Sequence, residues 1–216
     1  MLTSKKLNTG KGIPIVFLHG LLGRAEDWIP VCSHLPDHTC IGIDLPGHGD
    51  SPFEPEWSID LPQFHLVGYS LGGRIALQLF RHRARSLTLL STHPGLNTLE
   101  EKQARWQSDL EWARLLLELP IDEFLKRWYD QSIFKPYQPD FATRRNQNVE
   151  GVARALMHYS LAKQERLELD GVLVGERDEK FRALYQRSIV IPHAGHMIHL
   201  ENPKAVAEII RTRVEP

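Results

Sequence analysis

Short apolar runs alternate with longer helical patterns along most of this chain. The runs are rich in Val, Ile and Leu and lack regular polar positions, which is typical of strands buried on both faces of a parallel sheet. The predicted strands are IPIVFL (13–18), TCIGID (39–44), FHLVG (64–68), SLTLLS (86–91), DGVLVG (170–175) and SIVI (188–191). Helical patterns follow two of them, as LGGRIALQLFRHR after the third and PKAVAEIIRTRV after the sixth. This alternation predicts an α/β fold with a mostly parallel sheet flanked by helices.

Two intervals depart from the alternation. Residues 93–166 contain several helical patterns joined by Pro-containing turns and no strand run. We interpret this interval as a helical lid inserted between core strands of a single domain, 1–216. Residues 51–63, SPFEPEWSIDLPQ, hold three prolines, which forbid a regular helix throughout. We expect an irregular, shortened connection there, with the FHLVG strand still at the centre of the sheet.

The composition changes this picture little. The 216 residues carry a formal net charge of −1, and 42% of them are hydrophobic. This charge offers no argument for a nucleic-acid or anionic-membrane partner, and the N-terminal apolar run is too short for a membrane span. Two cysteines do not make a disulfide framework, so we expect Cys32 and Cys40 to be buried or half-buried free thiols. These features predict a cytoplasmic protein and leave its oligomeric state open.

The pentapeptide GYSLG (68–72) fits the pattern G-x-S-x-G and lies between a predicted strand and a predicted helix. In that context the glycines allow a tight strand-to-helix turn that exposes a serine hydroxyl. The helix N-terminus that follows offers backbone N–H groups to a developing negative charge. We therefore predict that Ser70 is a nucleophile or a base. The alternative is a tight turn without chemistry.

A reactive serine needs an imidazole and an orienting carboxylate, and in this kind of fold the chain order is serine, acid, histidine. Asp178 follows the fifth predicted strand, and three histidines follow the sixth, in IPHAGHMIHLENP. Both places are C-terminal strand ends, where α/β sheets carry their sites. We choose His196 because it follows Gly195, which permits a sharp loop. His193 is closer to the strand end, and His199 is expected to pack.

The segment FLHGLLG after the first strand can supply a second donor to an oxyanion. We assign the two oxyanion donors to the backbone N–H groups of Leu21 and Leu71. His19 in this segment is interpreted as structural. Asp44 and His48, in DLPGHGDS after the second strand, are interpreted as loop-stabilising residues.

The motifs FLHG, DLPGHGDS and GYSLGG, an acid after the fifth strand and AGH before a terminal helix occur in one order. Through these motifs, which span nearly the whole chain, the sequence resembles the α/β-hydrolase fold family. The resemblance implies a triad of Ser70, Asp178 and His196. No metal-ligand cluster is evident among the scattered histidines.

A closer resemblance rests on the segments GYSLGGR, HPGL, ARWQSDLEWA, RWYDQSIF, RRNQN, GERDEKFRAL and AGHMIHLENP. Several of them lie in the lid, where hydrolases usually diverge. They look like the 2-succinyl-6-hydroxy-2,4-cyclohexadiene-1-carboxylate synthases of menaquinone biosynthesis. This resemblance implies a lyase that abstracts a proton from a small polycarboxylate and expels pyruvate, without a cofactor or a metal.

A polycarboxylate substrate gives a reason for arginines near the serine, because a guanidinium binds a carboxylate bidentately. By resemblance, the substrate-binding residues are Tyr69, Arg74, Arg105, Trp128 and Arg144. The choice of Arg144 stays open because Arg145 is adjacent to it. The plainer interpretation of Arg74 is a solvated or ion-paired residue on a helix surface, where a cation in the first turn opposes the helix dipole.

Two other functions stay open on the sequence. The same triad would serve a carboxylic-ester or thioester hydrolase that acts through an acyl-enzyme on Ser70. A degenerate member of the fold would bind a ligand or a partner without catalysis, although the complete set of Ser, Asp and His argues against it.

Overall fold

The computed structural model describes residues 2–135, 137 and 139–215, and its strands form one sheet. The strands are β1 (Ser4–Asn8), β2 (Lys11–Leu18), β3 (His38–Ile43), β4 (His65–Tyr69), β5 (Ser86–Leu90), β6 (Val172–Gly175) and β7 (Ser188–Ile191). Among the described residues the spatial order is β1-β3-β2-β4-β5-β6-β7. β1 runs antiparallel to β3, and the other neighbours are parallel. The predicted mostly parallel sheet, with FHLVG at its centre, is confirmed.

Helices cover both faces of this sheet. They are α1 (Ile29–Cys32), α2 (Leu71–Ile75), α3 (Leu99–Glu118), α4 (Ile121–Tyr129), α5 (Ala142–Arg145), α6 (Val149–His158), α7 (Glu179–Arg182), α8 (Ile198–Glu201) and α9 (Pro203–Val214). The helix predicted after the third strand is regular only over α2 and continues as a π-helical turn, Ala76–Phe80. In the part of the chain that the structure describes, no helix is long and apolar enough to cross a membrane.

The two faces of the sheet bury separate sets of apolar side chains. Every residue of β4 is buried, because β2 and β5 flank it and helices cover it on both sides. Val67 belongs to the cluster on one face, with Trp28 and the α9 residue Val206. Leu66 points to the other cluster, with Phe80. Full burial of each such side chain contributes about 1.5–3 kcal/mol to folding.

The connection before β4 is irregular, which confirms the prediction for residues 51–63. Its Trp57 ring packs 4.8 Å from the ring of Phe80, measured between centroids. The Trp57 Nε1–H donates to the Tyr159 hydroxyl at 3.3 Å, and that hydroxyl donates to the Pro55 carbonyl at 3.3 Å. Side-chain packing and these two hydrogen bonds therefore hold a segment that lacks helical hydrogen bonds of its own.

Residues 93–166, interpreted above as an insertion and called the insertion below, contain helices and turns and no strand among those described. Its first long helix, α3, begins with a capping box, in which Thr98 Oγ1 accepts from the Glu101 N–H at 3.1 Å and the Glu101 carboxylate accepts from the Thr98 N–H at 3.1 Å. The rings of Trp112 and Trp128, from α3 and α4, meet edge to face at 4.9 Å. The insertion is thus held together by its own aromatic contacts.

Two thiols are buried in the core, and two buried histidines lie in the loops that follow β2 and β3. Cys32 and Cys40 are buried and free, as predicted. His19 lies against the Gly20 carbonyl through Nδ1 at 2.7 Å, and its Nε2 accepts from the Leu45 N–H at 3.0 Å. His48 Nδ1 lies 3.1 Å from the Pro46 carbonyl. His19 therefore ties the loop after β2 to the loop after β3, and His48 stabilises its own loop.

The burial of these two histidines predicts acid sensitivity of the fold. Burial lowers the pKa of His19 to about 4 and that of His48 to about 3, below the ordinary value of 6.5. Below about pH 6.5, these histidines therefore bind protons in the unfolded chain but stay neutral in the folded protein. The free energy of unfolding consequently falls as the pH falls from 6.5 towards 4. The expected slope is at most about 1.4 kcal/mol per pH unit for each histidine.

Urea unfolding curves across this pH range measure the slope. His48→Gln should make the slope shallower, because it removes one of the buried titrating side chains. The matched control is His82→Gln, which changes an exposed histidine and should leave the slope as it is. A slope in the wild type that His48→Gln does not alter would contradict this account.

Candidate active site

Ser70 occupies a strained turn between β4 and α2. Its backbone has φ 50° and ψ −110°, a left-handed conformation that costs a non-glycine residue about 1–3 kcal/mol. The Ser70 N–H donates to the Leu90 carbonyl at 2.9 Å, and the Ser70 carbonyl accepts from the Arg74 N–H at 3.1 Å. These bonds hold the turn so that the hydroxyl stands at the C-terminal edge of the sheet.

The glycines around Ser70 are needed for close backbone approach. A Cβ on Gly68 would lie 2.6 Å from the Gly73 Cα, and a Cβ on Gly72 would lie 2.4 Å from the carbonyl oxygens of Leu18 and His19. Neither site can take a side chain without moving backbone. The G-x-S-x-G pattern therefore reflects close packing of Gly68 against α2 and of Gly72 against the end of β2.

The structure brings the three predicted side chains together. His196 Nδ1 lies 2.7 Å from Asp178 Oδ2, and His196 Nε2 lies 3.4 Å from Ser70 Oγ. Because Nδ1–H donates to the carboxylate, Nε2 is left to accept the serine proton. Asp178 Oδ1 also accepts from the Phe181 N–H at 3.2 Å, which anchors the carboxylate. A Ser–His distance of 3.4 Å is at the long end of a hydrogen bond, and such contacts tighten when a substrate binds.

His193 does not take part in this arrangement. Its side chain is 82% exposed and lies beside the Glu176 carboxylate at 3.6 Å. His199 is buried between aromatic rings, 4.2 Å from Tyr69 and 4.9 Å from Trp28, measured between centroids. Of the three histidines after β7, His196 alone faces Ser70 in the described structure.

Two residues that the sequence did not single out hold the His196 loop. Glu201 accepts from the N–H groups of Gly195 at 2.8 Å and Met197 at 3.1 Å, on either side of His196. The Ser91 hydroxyl donates to the His196 carbonyl at 2.9 Å. The signal for Glu201 was an acidic residue shortly after a glycine-containing turn, but that pattern alone is common.

The two assigned oxyanion donors lie on the same cavity as Ser70 and His196. In the part of the chain that the structure describes, the backbone N–H groups of Leu21 and Leu71 have no acceptor within the protein. Two free donors beside a serine hydroxyl can stabilise a negative charge that develops on a bound oxygen.

The cavity above Ser70 has a volume of about 260 Å³ and is roofed by the insertion. Aromatic and aliphatic side chains make its walls, and they are joined by three cationic residues. The apolar lining includes Trp112, Trp128, Ile133, Phe134, Leu156 and Phe181, and the cations are Arg74, Arg105 and Lys180. Lys180 was not predicted, although it lies only two residues after Asp178.

Arg74 is a buried cation on this cavity, with 7% of its surface exposed. Its Nη1–H donates to the Tyr159 carbonyl at 2.7 Å, and among the described residues it has no ion pair. Burial and the nearby Arg105 lower the pKa of Arg74 to about 9, so the group stays protonated at neutral pH. The solvated-surface interpretation of Arg74 does not fit this environment.

The positive charges of Arg74 and Arg105 also act on the neighbouring His93. Burial, together with Arg74 and Arg105, lowers the pKa of His93 to about 4. The imidazole lines the cavity in its neutral form at physiological pH. The positive charge of this end of the cavity therefore comes from the guanidinium and ammonium groups.

Arg105 shares the cavity with Arg74, whereas Arg144 does not. Arg105 lies on α3, where its Nε–H donates to Asp109 at 2.7 Å. Arg144 lines a second, small cavity of about 40 Å³ on the other side of Ser70, beside Tyr69 and Trp128. Trp128 lines both cavities and separates the arginines. The sequence-based expectation grouped the three arginines, and the structure splits them into two places.

Arg144 and Arg145 point in different directions. Arg144 is buried and donates to Asp27 at 2.7 Å and to the Leu22 carbonyl at 3.2 Å. Burial acts to lower the pKa of Arg144, but Asp27 outweighs it and holds the pKa above the ordinary range. Arg145 is half-exposed and pairs with Asp122 at 2.5 Å. Of these two arginines, Arg144 is therefore the one that lines a cavity with Ser70, and Asp27 already balances its charge.

Tyr69 lines the smaller cavity beside Ser70 and does not line the larger one. It is buried, and its ring lies 5.4 Å from that of His196. Burial raises the pKa of Tyr69 well above its ordinary value.

Among the described residues, no group of three or more His, Cys, Asp or Glu side chains is placed to hold a metal ion.

Comparisons with known proteins agree with this architecture. The model of the alpha/beta hydrolase family matches residues 15–209. A 2-succinyl-6-hydroxy-2,4-cyclohexadiene-1-carboxylate synthase from Enterobacter sp. (strain 638) is 35% identical and aligns over 100% of this chain and 99% of its own. The structure of MenH from S. aureus has a TM-score of 0.78 at 25% identity, covering 98% of this chain and 96% of that one.

An esterase is also similar in structure. A thermophilic esterase from Thermogutta terrifontis, solved with malate bound, has a TM-score of 0.70 at 25% identity and covers 98% of this chain and 92% of its own. The family match and the full-length relative both exceed what fold similarity alone would give. The chain belongs to the alpha/beta hydrolase family and, within it, to the family of the 2-succinyl-6-hydroxy-2,4-cyclohexadiene-1-carboxylate synthases.

Proposed function

We propose that this protein is a carbon–oxygen lyase of menaquinone biosynthesis. It eliminates pyruvate from 2-succinyl-5-enolpyruvyl-6-hydroxy-3-cyclohexene-1-carboxylate and releases 2-succinyl-6-hydroxy-2,4-cyclohexadiene-1-carboxylate. The observation that carries the proposal is Arg74, a cation buried beside Ser70 in a cavity with aromatic and aliphatic walls and without an ion-pair partner among the described residues. A buried charge is costly unless it is paired, and a substrate carboxylate supplies the pair. The partner is thus a small polycarboxylate, and we place the enzyme in the cytoplasm.

The three residues at the C-terminal sheet edge would carry out the proton transfer. Ser70, with His196 as the proton acceptor and Asp178 as its orienting group, abstracts a proton from the substrate ring. The electron pair of that C–H bond forms a new ring double bond, the existing ring double bond shifts by one position, and the C–O bond to the enolpyruvyl group breaks as its electron pair leaves with the oxygen. The enolate of pyruvate leaves and takes up a proton. The N–H groups of Leu21 and Leu71 stabilise the negative charge that develops on a carbonyl oxygen.

The arginines and aromatic residues would hold the substrate in place. Arg74 and Arg105 bind carboxylates in the larger cavity, and Arg144 acts on the opposite side of Ser70. Trp128, between the two cavities, and Tyr69, on the smaller one, shape the pocket. The insertion acts as a lid that excludes water from the reacting groups.

The second candidate function is hydrolysis of an ester or thioester. The same Ser70–His196 contact suits an acyl-enzyme mechanism, and an esterase is among the similar structures. One pair of assays separates the two functions. Pyruvate released from the pathway intermediate supports the lyase, while hydrolysis of p-nitrophenyl esters without pyruvate release supports the esterase.

Replacing Ser70 tests the proton-transfer step. Ser70→Ala should lower kcat for pyruvate release by about 100- to 10,000-fold, the range that a positioned acid–base group contributes. Pyruvate is measured by coupling to lactate dehydrogenase. The control is Ser33→Ala, which changes an exposed serine that lines neither cavity and should keep the wild-type rate. If Ser70→Ala keeps a rate within threefold of the wild type, Ser70 is not part of the chemistry.

Replacing Arg74 tests the anion-binding assignment. Charge-assisted hydrogen bonds contribute about 1.5–3 kcal/mol, so Arg74→Ala should reduce kcat/KM for the pathway substrate by roughly 10- to 150-fold. Arg74→Lys should recover part of this loss, because an ammonium group cannot form the bidentate contact. Any hydrolysis of a small neutral ester should change little in either variant.

Arg145→Ala is the matched control, since it removes a half-exposed arginine that lines neither cavity. It should leave both rate constants at the wild-type values. Equal losses for the anionic and neutral substrates in Arg74→Ala, or no loss for either, would make Arg74 a structural residue and remove the main argument for the lyase.

A further inference from the structure

A buried carboxylate lies in the wall of the cavity that is proposed to bind carboxylates. Asp109, on α3, is 2% exposed and lines the same cavity as Arg74 and Arg105. By charge alone this side chain opposes the binding of an anion, by Coulomb repulsion in a poorly solvated space. If Asp109 helps the site to bind an anion, it must therefore make a favourable contribution to binding that outweighs this repulsion.

Both oxygens of Asp109 are hydrogen-bonded. Oδ1 accepts from Arg105 Nε at 2.7 Å, one turn earlier on α3, and Oδ2 accepts from the Ser160 hydroxyl at 2.7 Å. The contact with Arg105 uses Nε only. The two terminal nitrogens of Arg105 donate to no described residue, so its bidentate end is available to the cavity.

The residues at the end of α6 connect Arg105 with Arg74. The Tyr159 carbonyl accepts from Arg74 Nη1 at 2.7 Å, and the next residue, Ser160, holds Asp109. Two adjacent residues thus locate both guanidinium groups, one directly and one through Asp109. Side chains whose partners are fixed in this way lose little freedom when a ligand binds.

We propose that Asp109 is a positioning residue which, held by Ser160, fixes the Arg105 guanidinium opposite Arg74 and so sets the spacing for a dicarboxylate. The inference deepens the proposed function and rests on it for the identity of the substrate. The ligand class that this spacing selects is a molecule with two carboxylates, one at each guanidinium.

The sign of the effect separates positioning from simple charge. If Asp109 acted only through its charge, Asp109→Ala would strengthen anion binding and lower KM. Under the proposal, Asp109→Ala frees Arg105 and raises KM by about 10-fold or more, the worth of one charge-assisted contact. Ser160→Ala removes no charge and should raise KM in the same direction, by about 2- to 10-fold.

Asp109→Asn provides the conservative rescue. Its amide oxygen can still accept from Arg105 Nε, and its amide nitrogen can donate to the Ser160 hydroxyl. Its KM should therefore lie closer to the wild-type value than that of Asp109→Ala, and kcat should stay within about threefold in all three variants. The matched control is Glu111→Ala, which removes an exposed carboxylate from the same helix and should keep the wild-type KM.

The experiment measures kcat and KM for pyruvate release and, separately, the Kd of glutarate by isothermal titration calorimetry. Glutarate is a plain dicarboxylate, so this second measurement does not need the lyase reaction. The inference is supported if Asp109→Ala and Ser160→Ala raise both KM and the glutarate Kd while Asp109→Asn stays near the wild type. Melting temperatures identify any variant that fails to fold. If Asp109→Ala or Ser160→Ala fails to fold, the inference is judged on the other of these two variants.

Other outcomes overturn the inference. A KM or glutarate Kd in Asp109→Ala at or below the wild-type value would show that Asp109 acts through charge or not at all. Wild-type protein that binds no glutarate would remove the dicarboxylate site. Failure of the wild type to release pyruvate, with the glutarate pattern intact, would reject the lyase reaction and keep the positioning role.

Discussion

The burial of the Arg74 charge is the constraint on which the site depends. Taking a guanidinium out of water costs of order several kcal/mol, and here no carboxylate among the described residues forms an ion pair with it. The Tyr159 carbonyl, at the C-terminal end of α6, accepts from Arg74 at 2.7 Å. A cation is favoured at that end of a helix, where carbonyls lack partners. This one hydrogen bond joins α2 of the sheet core to the insertion, and it keeps the cation beside Ser70.

The same corner compensates for the shortened connection before β4. The Tyr159 hydroxyl meets Trp57 and the Pro55 carbonyl, both in the segment that lacks a helix. The backbone carbonyl of Tyr159 thus holds Arg74 in the site, while its side chain stabilises the irregular connection before β4. Because Ser160 follows directly and holds Asp109, the insertion is more than a cover over the cavity. It contributes to the structure of the core as well as to the electrostatics of the site.

Charge is distributed unequally around Ser70. Arg144 has its counterion in Asp27, and Arg105 has one in Asp109. Arg74 has no counterion among the described residues, so of these three arginines it is the one whose buried charge would gain most from a bound anion. Neutral His93 and the aromatic walls add no competing charge. The cavity therefore has aromatic and aliphatic walls but is cationic at one end. The cationic end distinguishes it from a pocket built for neutral esters.

The sequence by itself determined the sheet, the irregular connection and the choice of Ser70, Asp178 and His196. Those features follow from local patterns, because buried parallel strands read as apolar runs and their C-terminal ends converge at one edge. Only the tertiary structure decided between Arg144 and Arg145, since adjacent helical side chains point about 100° apart and packing selects which one faces inward. Asp109 and Glu201 likewise needed the structure, because hydrogen bonds between distant segments leave no periodic signal in the chain.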